Sequence, residues 1–381
     1  MRLKGKTSQA QAALCCHHRR WIPTTFFRSL STVTLSSTVA LCLLLVACDS
    51  TGPDIEPSPP TSPSPSAPST GTTSTSPGEL VTTELGTSSN SSLGSIAVDS
   101  TERRIYTVDP IADRLFVLDS QTLTLGSVVR GFPRAERVAV DGQSHEIFVA
   151  AAGGSIWKIE PHTLRVITSA EIDSVSSEDV YDLVVDSRAR CLYVLMSQSG
   201  LWALDLITLR VQDRIRESGL SMSLDTHRSR LYLADRRGIR VIDTARFKVV
   251  DEFGVGAASV AVAGASNELY LARPGRDIGV LEIVDATTGS SITSLRNGVW
   301  PTDVEIDKES GVAYVVDLGA LNIESVDPDA GLVWVVDLAT HSLRSTLSVG
   351  IAPDQAALDV RTGAIYLSDP NSAAVSLLLP S

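Results

Sequence analysis

Along residues 92–380 short apolar runs alternate with polar turns, and one arrangement of them returns at near-constant intervals. An apolar run ends in Asp, and seven residues later comes a Tyr or Phe. The pairs are Asp99/Tyr106, Asp141/Phe148, Asp186/Tyr193, Asp225/Tyr232, Asp307/Tyr314 and Asp359/Tyr366. A degenerate member carries Ala263 in place of Asp, with Tyr270 in position. The aromatics lie 42, 45, 39, 38, 44 and 52 residues apart. The runs between them are rich in Val, Ile, Leu and Tyr, and none reaches helix length. A period of about 43 residues filled only with strands is the signature of a β-propeller.

The first unit predicts four strands: A at 95–99, B at 104–108, C at 114–119 and D at 125–130. Strand C recurs as WKIE, WALD, RVID, EIVD and WVVD, and strand D closes on Gly131, Gly256, Gly298 and Gly350. Seven A–B–C triplets are present, but only six are followed by a D strand, because the seventh C run (374–379) is followed only by Pro380-Ser381. An orphan run at 79–86 (ELVTTELG) precedes the first A strand and has the pattern and terminal Gly of the other D strands. The expectation is an all-β, seven-bladed β-propeller closed by an N-terminal outer strand. Closure leaves only short protected edges, whereas an open array would expose two apolar faces.

Gly298-Val-Trp-Pro301 leads into VEID and AYVVD, and Gly350-Ile-Ala-Pro353 leads into AALD and AIYLSD. These units resemble the YVTN-type β-propeller repeat, over nearly all of residues 79–380. The other blades lack the full G-x-x-P turn. The resemblance implies the fold and does not single out an activity. Related seven-bladed families include surface-layer proteins, lactonases and the heavy chain of quinoprotein amine dehydrogenases.

The first 47 residues break the pattern. They hold Arg2, Lys4, Lys6, Arg19, Arg20 and Arg28 and no acid, and end in the apolar run TVALCLLLVA. A basic stretch followed by a short apolar run reads as an export signal rather than a membrane span. Leu45-Val46-Ala47-Cys48 resembles the lipobox of bacterial lipoproteins, which implies cleavage before Cys48 and lipidation of its thiol. Arg19-Arg20 leaves both general and twin-arginine export open. Asp49 after the lipidated position resembles an inner-membrane retention signal. Residues 49–77, rich in Pro, Ser and Thr, cannot form a core and read as an extended tether. The expected domains are a lipoprotein signal at 1–47, a tether at 48–77 and the propeller at 78–381.

Composition narrows the partners. Beyond Cys48 only Cys191 remains, so no disulfide forms within the processed chain, and Cys191 reads as a small buried hydrophobe. The full chain has 32 Lys/Arg against 44 Asp/Glu, and removing the basic leader makes the balance more acidic still. That disfavours nucleic acid, which needs a basic surface. The expected protein is an extracytoplasmic monomer held at the membrane through lipid on Cys48, facing an unknown protein or envelope ligand.

In a propeller the D–A and B–C loops share the usual ligand face. Four residues before each strand-A Asp position sits a polar ring of Ser95, Arg137, Asp182, Ser221, Ser259, Asp303 and Gln355. Arg137, Asp182 and Asp303 are its candidates for ligand contact. Arg236, Arg237, Arg273 and Arg276 occupy B–C loops of blades four and five, with Trp300 in the next D–A loop. Together they could hold an anionic or planar group. His145, His162, His227 and His341 fall in turns on the opposite face, where they read as solvated and argue against a His-based metal site or triad. Blade six carries an insertion at 317–331 whose Asp327-x-Asp329-x-Gly331 resembles part of a calcium loop, but Leu338 stands where the bidentate Glu belongs.

Ser155-Ile-Trp-Lys158 matches a catalytic S-x-x-K only in letters, because i and i+3 of a strand face opposite ways. No metal or cofactor is expected. The strand-A Asp and strand-B Tyr read as fold residues, capping turns and packing between blades. Two functions remain: a non-enzymatic binding module, and an extracytoplasmic enzyme of lactonase-like or quinoprotein dehydrogenase-like type.

Overall fold

Each repeat folds as a four-stranded antiparallel sheet in A-B-C-D order, and seven such sheets form the ring. A computed structural model of the chain describes residues 80–85, 92–173, 178–319, 331–349 and 352–379, with a short ladder pairing 321–322 to 325–326. No helix occurs among the described residues. The inner strands are Ile96–Asp99, Ala135–Val140, Val180–Asp186, Ser221–Asp225, Ser259–Ala263, Pro301–Asp307 and Gln355–Asp359. Each packs beside the next, and the seventh packs beside the first.

The ring closes as the strand count requires. Leu80–Glu84 pairs antiparallel with Ala374–Leu378, from Leu80 opposite Leu378 to Glu84 opposite Ala374. Thr82 Oγ1 lies 2.7 Å from Ser376 Oγ across this ladder. The N-terminal strand is therefore the outer strand of the blade built from the C-terminal triplet.

Seven apolar clusters hold the ring together, one at each junction between blades. The aromatic of strand B lies at the centre of this packing. Tyr106, Tyr193, Tyr232, Tyr270, Tyr366 and Phe148 are among the most deeply buried side chains. At several junctions the C–D turn of the following blade reaches back onto that aromatic. Leu209 joins the cluster of Phe148, Phe247 stacks on Tyr193 with centroids 6.0 Å apart, and His341 meets Tyr270 edge-on.

These turns have a common cause. The Asp that ends strand A or C folds its carboxylate back onto the amides two and three residues ahead. Asp99 accepts from Thr101 and Glu102, Asp205 from Ile207 and Thr208, and Asp285 from Thr287 and Thr288. The turn then needs a left-handed residue four positions after the Asp. Arg103, Leu123, His145, Leu209, Ser229 and Phe247 all sit there with φ between 48° and 63°.

The outer strands are protected differently. In blades one to six the C–D ladder breaks register once near the end of strand C, as between Val117 and Leu118 or Val335 and Val336. Such bulges blunt an exposed edge. The seventh blade, closed by a segment from the other end of the chain, keeps an unbroken register.

Candidate site at the channel mouth

The inner strands bring the predicted polar ring to one level of the axial channel. Its side chains are tied into the architecture. Ser95 Oγ accepts the Val138 amide of the next blade at 2.7 Å. Arg137 Nε donates to the Tyr181 carbonyl at 2.8 Å and Nη1 to its neighbour's, Glu136, at 2.9 Å. Asp182 Oδ2 accepts the Met222 amide at 2.6 Å, and Ser221 Oγ accepts the Val260 amide at 3.3 Å. Ser259 Oγ donates to Asp303 Oδ1 at 3.1 Å, and Asp303 Oδ2 accepts the Ala356 amide at 3.1 Å. Six of the seven junctions, from blade one to blade seven, are thus stitched by this ring.

The same residues sense one another across the channel. Arg137 of blade two lowers the acidity cost of both Asp182 in blade three and Asp303 in blade six, and the two Asp oppose each other. Burial dominates: it pushes the Asp182 carboxyl up to about 6, against the pull of the Met222 amide and Arg137. Asp303 is raised for the same reason.

Two positions further along the strand stands Glu305, which the sequence analysis passed over. It lines the channel half-buried. Its carboxyl is raised well above the usual range by burial and by the like charges of Asp303 and Asp182. Among the described residues it has no hydrogen-bond or ion-pair partner. The equivalent residues of the other blades are Ala97, Ala139, Val184, Ser223, Ala261 and Ala357, so Glu305 is the one ionisable group at its level. A repeat alignment carries that signal.

The predicted basic cluster is not brought together as a single clamp. Arg273 turns within its own blade to Glu282 at 2.6 Å. Arg236, Arg237 and Arg276 are exposed at the loop tips, and Arg236 acts electrostatically on Tyr181, a half-buried aromatic of the third inner strand. Trp300 is half-buried, and its amide donates to Asp317 at 2.9 Å. Asp317 is fully buried. It also accepts the Val299 and Gly319 amides and so fixes the Gly298–Pro301 loop beneath the mouth.

The histidines lie on the opposite face, as expected, but two of them are not simply solvated. His145 Nδ1 is 2.8 Å from Asp99 Oδ2 of the preceding blade. His341 Nε2 is 3.1 Å from Glu268 Oε1 without hydrogen-bond alignment. His162 and His227 are exposed. Among the described residues no group of three His, Cys, Asp or Glu could hold a metal ion. Asp327, Asp329 and Cys48 lie outside the described residues.

No protein-family model matches the chain, and no curated protein matches it.

Proposed function

We infer that the chain is an exported lipoprotein of divergent YVTN type whose propeller is a non-enzymatic binding module. In this reading residues 1–47 are the signal, Cys48 carries the lipid, 48–77 form the tether and 78–381 face the extracytoplasmic space. The observation that carries the reading is the use of Asp182 and Asp303. The two acids at the expected site are spent on amides of neighbouring blades, so the mouth is a rigid frame rather than a set of free acid–base groups. The exposed loop tips Arg236, Arg237 and Arg276, with Arg236 acting on Tyr181, supply the contact surface. Aromatic and Arg side chains are the usual anchors of such surfaces.

One observation favours the enzymatic alternative. Glu305 is a channel carboxyl with a raised pKa and no partner among the described residues, and a lactonase-like hydrolase would need such an acid.

The test has three arms. Mass spectrometry of the membrane-extracted protein should find diacylglycerol on Cys48; an unmodified thiol removes the anchor. Capture from native membranes should identify a partner that a charge-reversed Arg236→Glu, Arg237→Glu variant no longer holds; equal capture rules out this face. A lactone and ester screen that finds turnover abolished by Glu305→Gln would replace the binding reading with the enzymatic one.

A further inference from the structure

The ring at the channel mouth is built from two kinds of inner strand. The register between strands A and B breaks in blade two at Ala135/Arg137, in blade three at Val180/Asp182 and in blade six at Pro301/Asp303. The ladders of the blades that carry Ser95, Ser221, Ser259 and Gln355 run unbroken. The bulged strands are thus the ones whose ring residue is charged. A bulge inserts one residue and re-aims the side chain beside it, and bulges are common next to binding and active sites. Glu305 stands two residues beyond Asp303, on the same side of the strand.

These charges are held in place without being used up. Arg137 donates Nε and Nη1 to the carbonyls of Tyr181 and Glu136, and a guanidinium has further N–H groups. Asp182 and Asp303 accept backbone amides, and a carboxylate has further lone pairs. Arg137 pulls on both acids, yet among the described residues no salt bridge closes between them. Arg137, Asp182, Asp303 and Glu305 are all half-buried, so the channel reaches each of them. Arg137 and Asp182 stand on neighbouring inner strands, whereas Asp303 and Glu305 belong to blade six across the channel. Among the described residues no three acids converge closely enough to hold a metal ion. A guest that answers these charges is therefore longer than an ion and charged at both ends.

We propose that the channel mouth is a binding site for a basic α-amino acid of the lysine class. Its carboxylate meets Arg137, its α-ammonium meets Asp182, and its side-chain ammonium crosses the channel to Glu305 beside Asp303. Each charged group of such a ligand finds the opposite charge in a charge-assisted hydrogen bond. The flexible four-carbon stem of a lysine supplies the reach. The small side chains of Ala97, Ala139, Ala261 and Ala357 at the level of Glu305 leave room for it. The inference rests on the reading of the propeller as a binding module, and it uses neither the anchor nor the exposed loop tips.

The test titrates the full chain calorimetrically with L-lysine and with two analogues that each lack one charge. Norleucine lacks the side-chain ammonium, and cadaverine lacks the carboxylate. Lysine should bind, and each analogue should bind at least tenfold more weakly. Glu305→Gln, which keeps the shape of the side chain and removes its charge, should bring lysine down to the level of norleucine. The analogues probe the Arg137 and Asp182 end without a mutation, so loss of folding in a ring variant cannot mimic the result. The proposal is overturned if lysine does not bind, if either analogue binds as well as lysine, or if Glu305→Gln binds lysine as the parent does. Failure here with a membrane partner still captured through Arg236 and Arg237 would strike this site and leave the binding-module reading standing.

Discussion

Asp303 Oδ2 accepts the amide of Ala356, 53 residues later in the chain and one blade further round the ring. The bond joins two inner strands that share no sheet, and it repeats in kind at the junctions before it. A propeller ring of this sort is held on the inside by polar stitches and, further out, by apolar wedges. The two kinds of contact respond differently to mutation and to pH.

Ser95 tests the stitches. It is buried, and its hydroxyl is what the Val138 amide meets. Ser95→Ala leaves that amide without a partner, at a cost of about 1–3 kcal/mol. Urea unfolding should show the loss at every pH. A variant as stable as the parent would mean that the stitches contribute nothing.

Glu305 tests the charge in the channel. An unfolded chain ionises Glu near its ordinary value, whereas the folded ring holds the proton to a higher pH. The stability due to this group is complete below the unfolded value and is lost as pH rises through the folded one. Asp182, raised to about 6, acts in the same direction between about pH 4 and pH 6. Glu305→Gln should therefore melt at a higher temperature than the parent at pH 8 and close much of the difference at pH 4. A Gln variant that is less stable at pH 8 would show that the carboxylate has a stabilising partner.

Gly298 tests the loop under the mouth. It holds φ of 50°, and a methyl group added there would run into the Asp317 carboxylate. Gly298→Ala should cost about 2 kcal/mol or more, from the left-handed backbone and the displaced carboxylate together. It should also quench or shift Trp300 and Trp334 fluorescence, since both rings adjoin this loop. Unchanged stability would mean that the loop moves freely.

The closing strand tests the ring itself. Removing residues 80–85 uncovers Val375, Leu377 and Leu378, all buried beside it. The shortened protein should aggregate or melt at least 10 °C lower, as expected when a packed edge is stripped. A soluble monomer with the parent's melting temperature would contradict closure by this strand.

Much of this architecture is legible in the chain because its causes are local or periodic. The Asp-to-aromatic spacing reports a turn that needs a carboxylate and a strand that needs a wedge, and both recur too regularly to miss. The orphan run at 79–86 is found by counting, since seven triplets leave one D strand owed. The role of the polar ring is not legible. Asp182 and Asp303 sit at the expected level, but the amides they serve are about 40–50 residues away, and no local pattern distinguishes a stitch from a ligand contact. His145 escapes for the same reason, because its partner Asp99 belongs to the previous blade. Arg273 reads as part of a basic cluster only until its own blade's Glu282 is placed opposite it. Glu305 is a departure from the repeat, visible once the blades are aligned position by position rather than scanned for motifs.

The pairing of Leu80–Glu84 with Ala374–Leu378 also sets how the molecule meets mechanical load. Tension transmitted along the segment preceding Leu80 would enter the described fold through five residue pairs of a single outer ladder. The first part to yield would be the rim of one sheet, while its inner strand still packs beside that of the first blade.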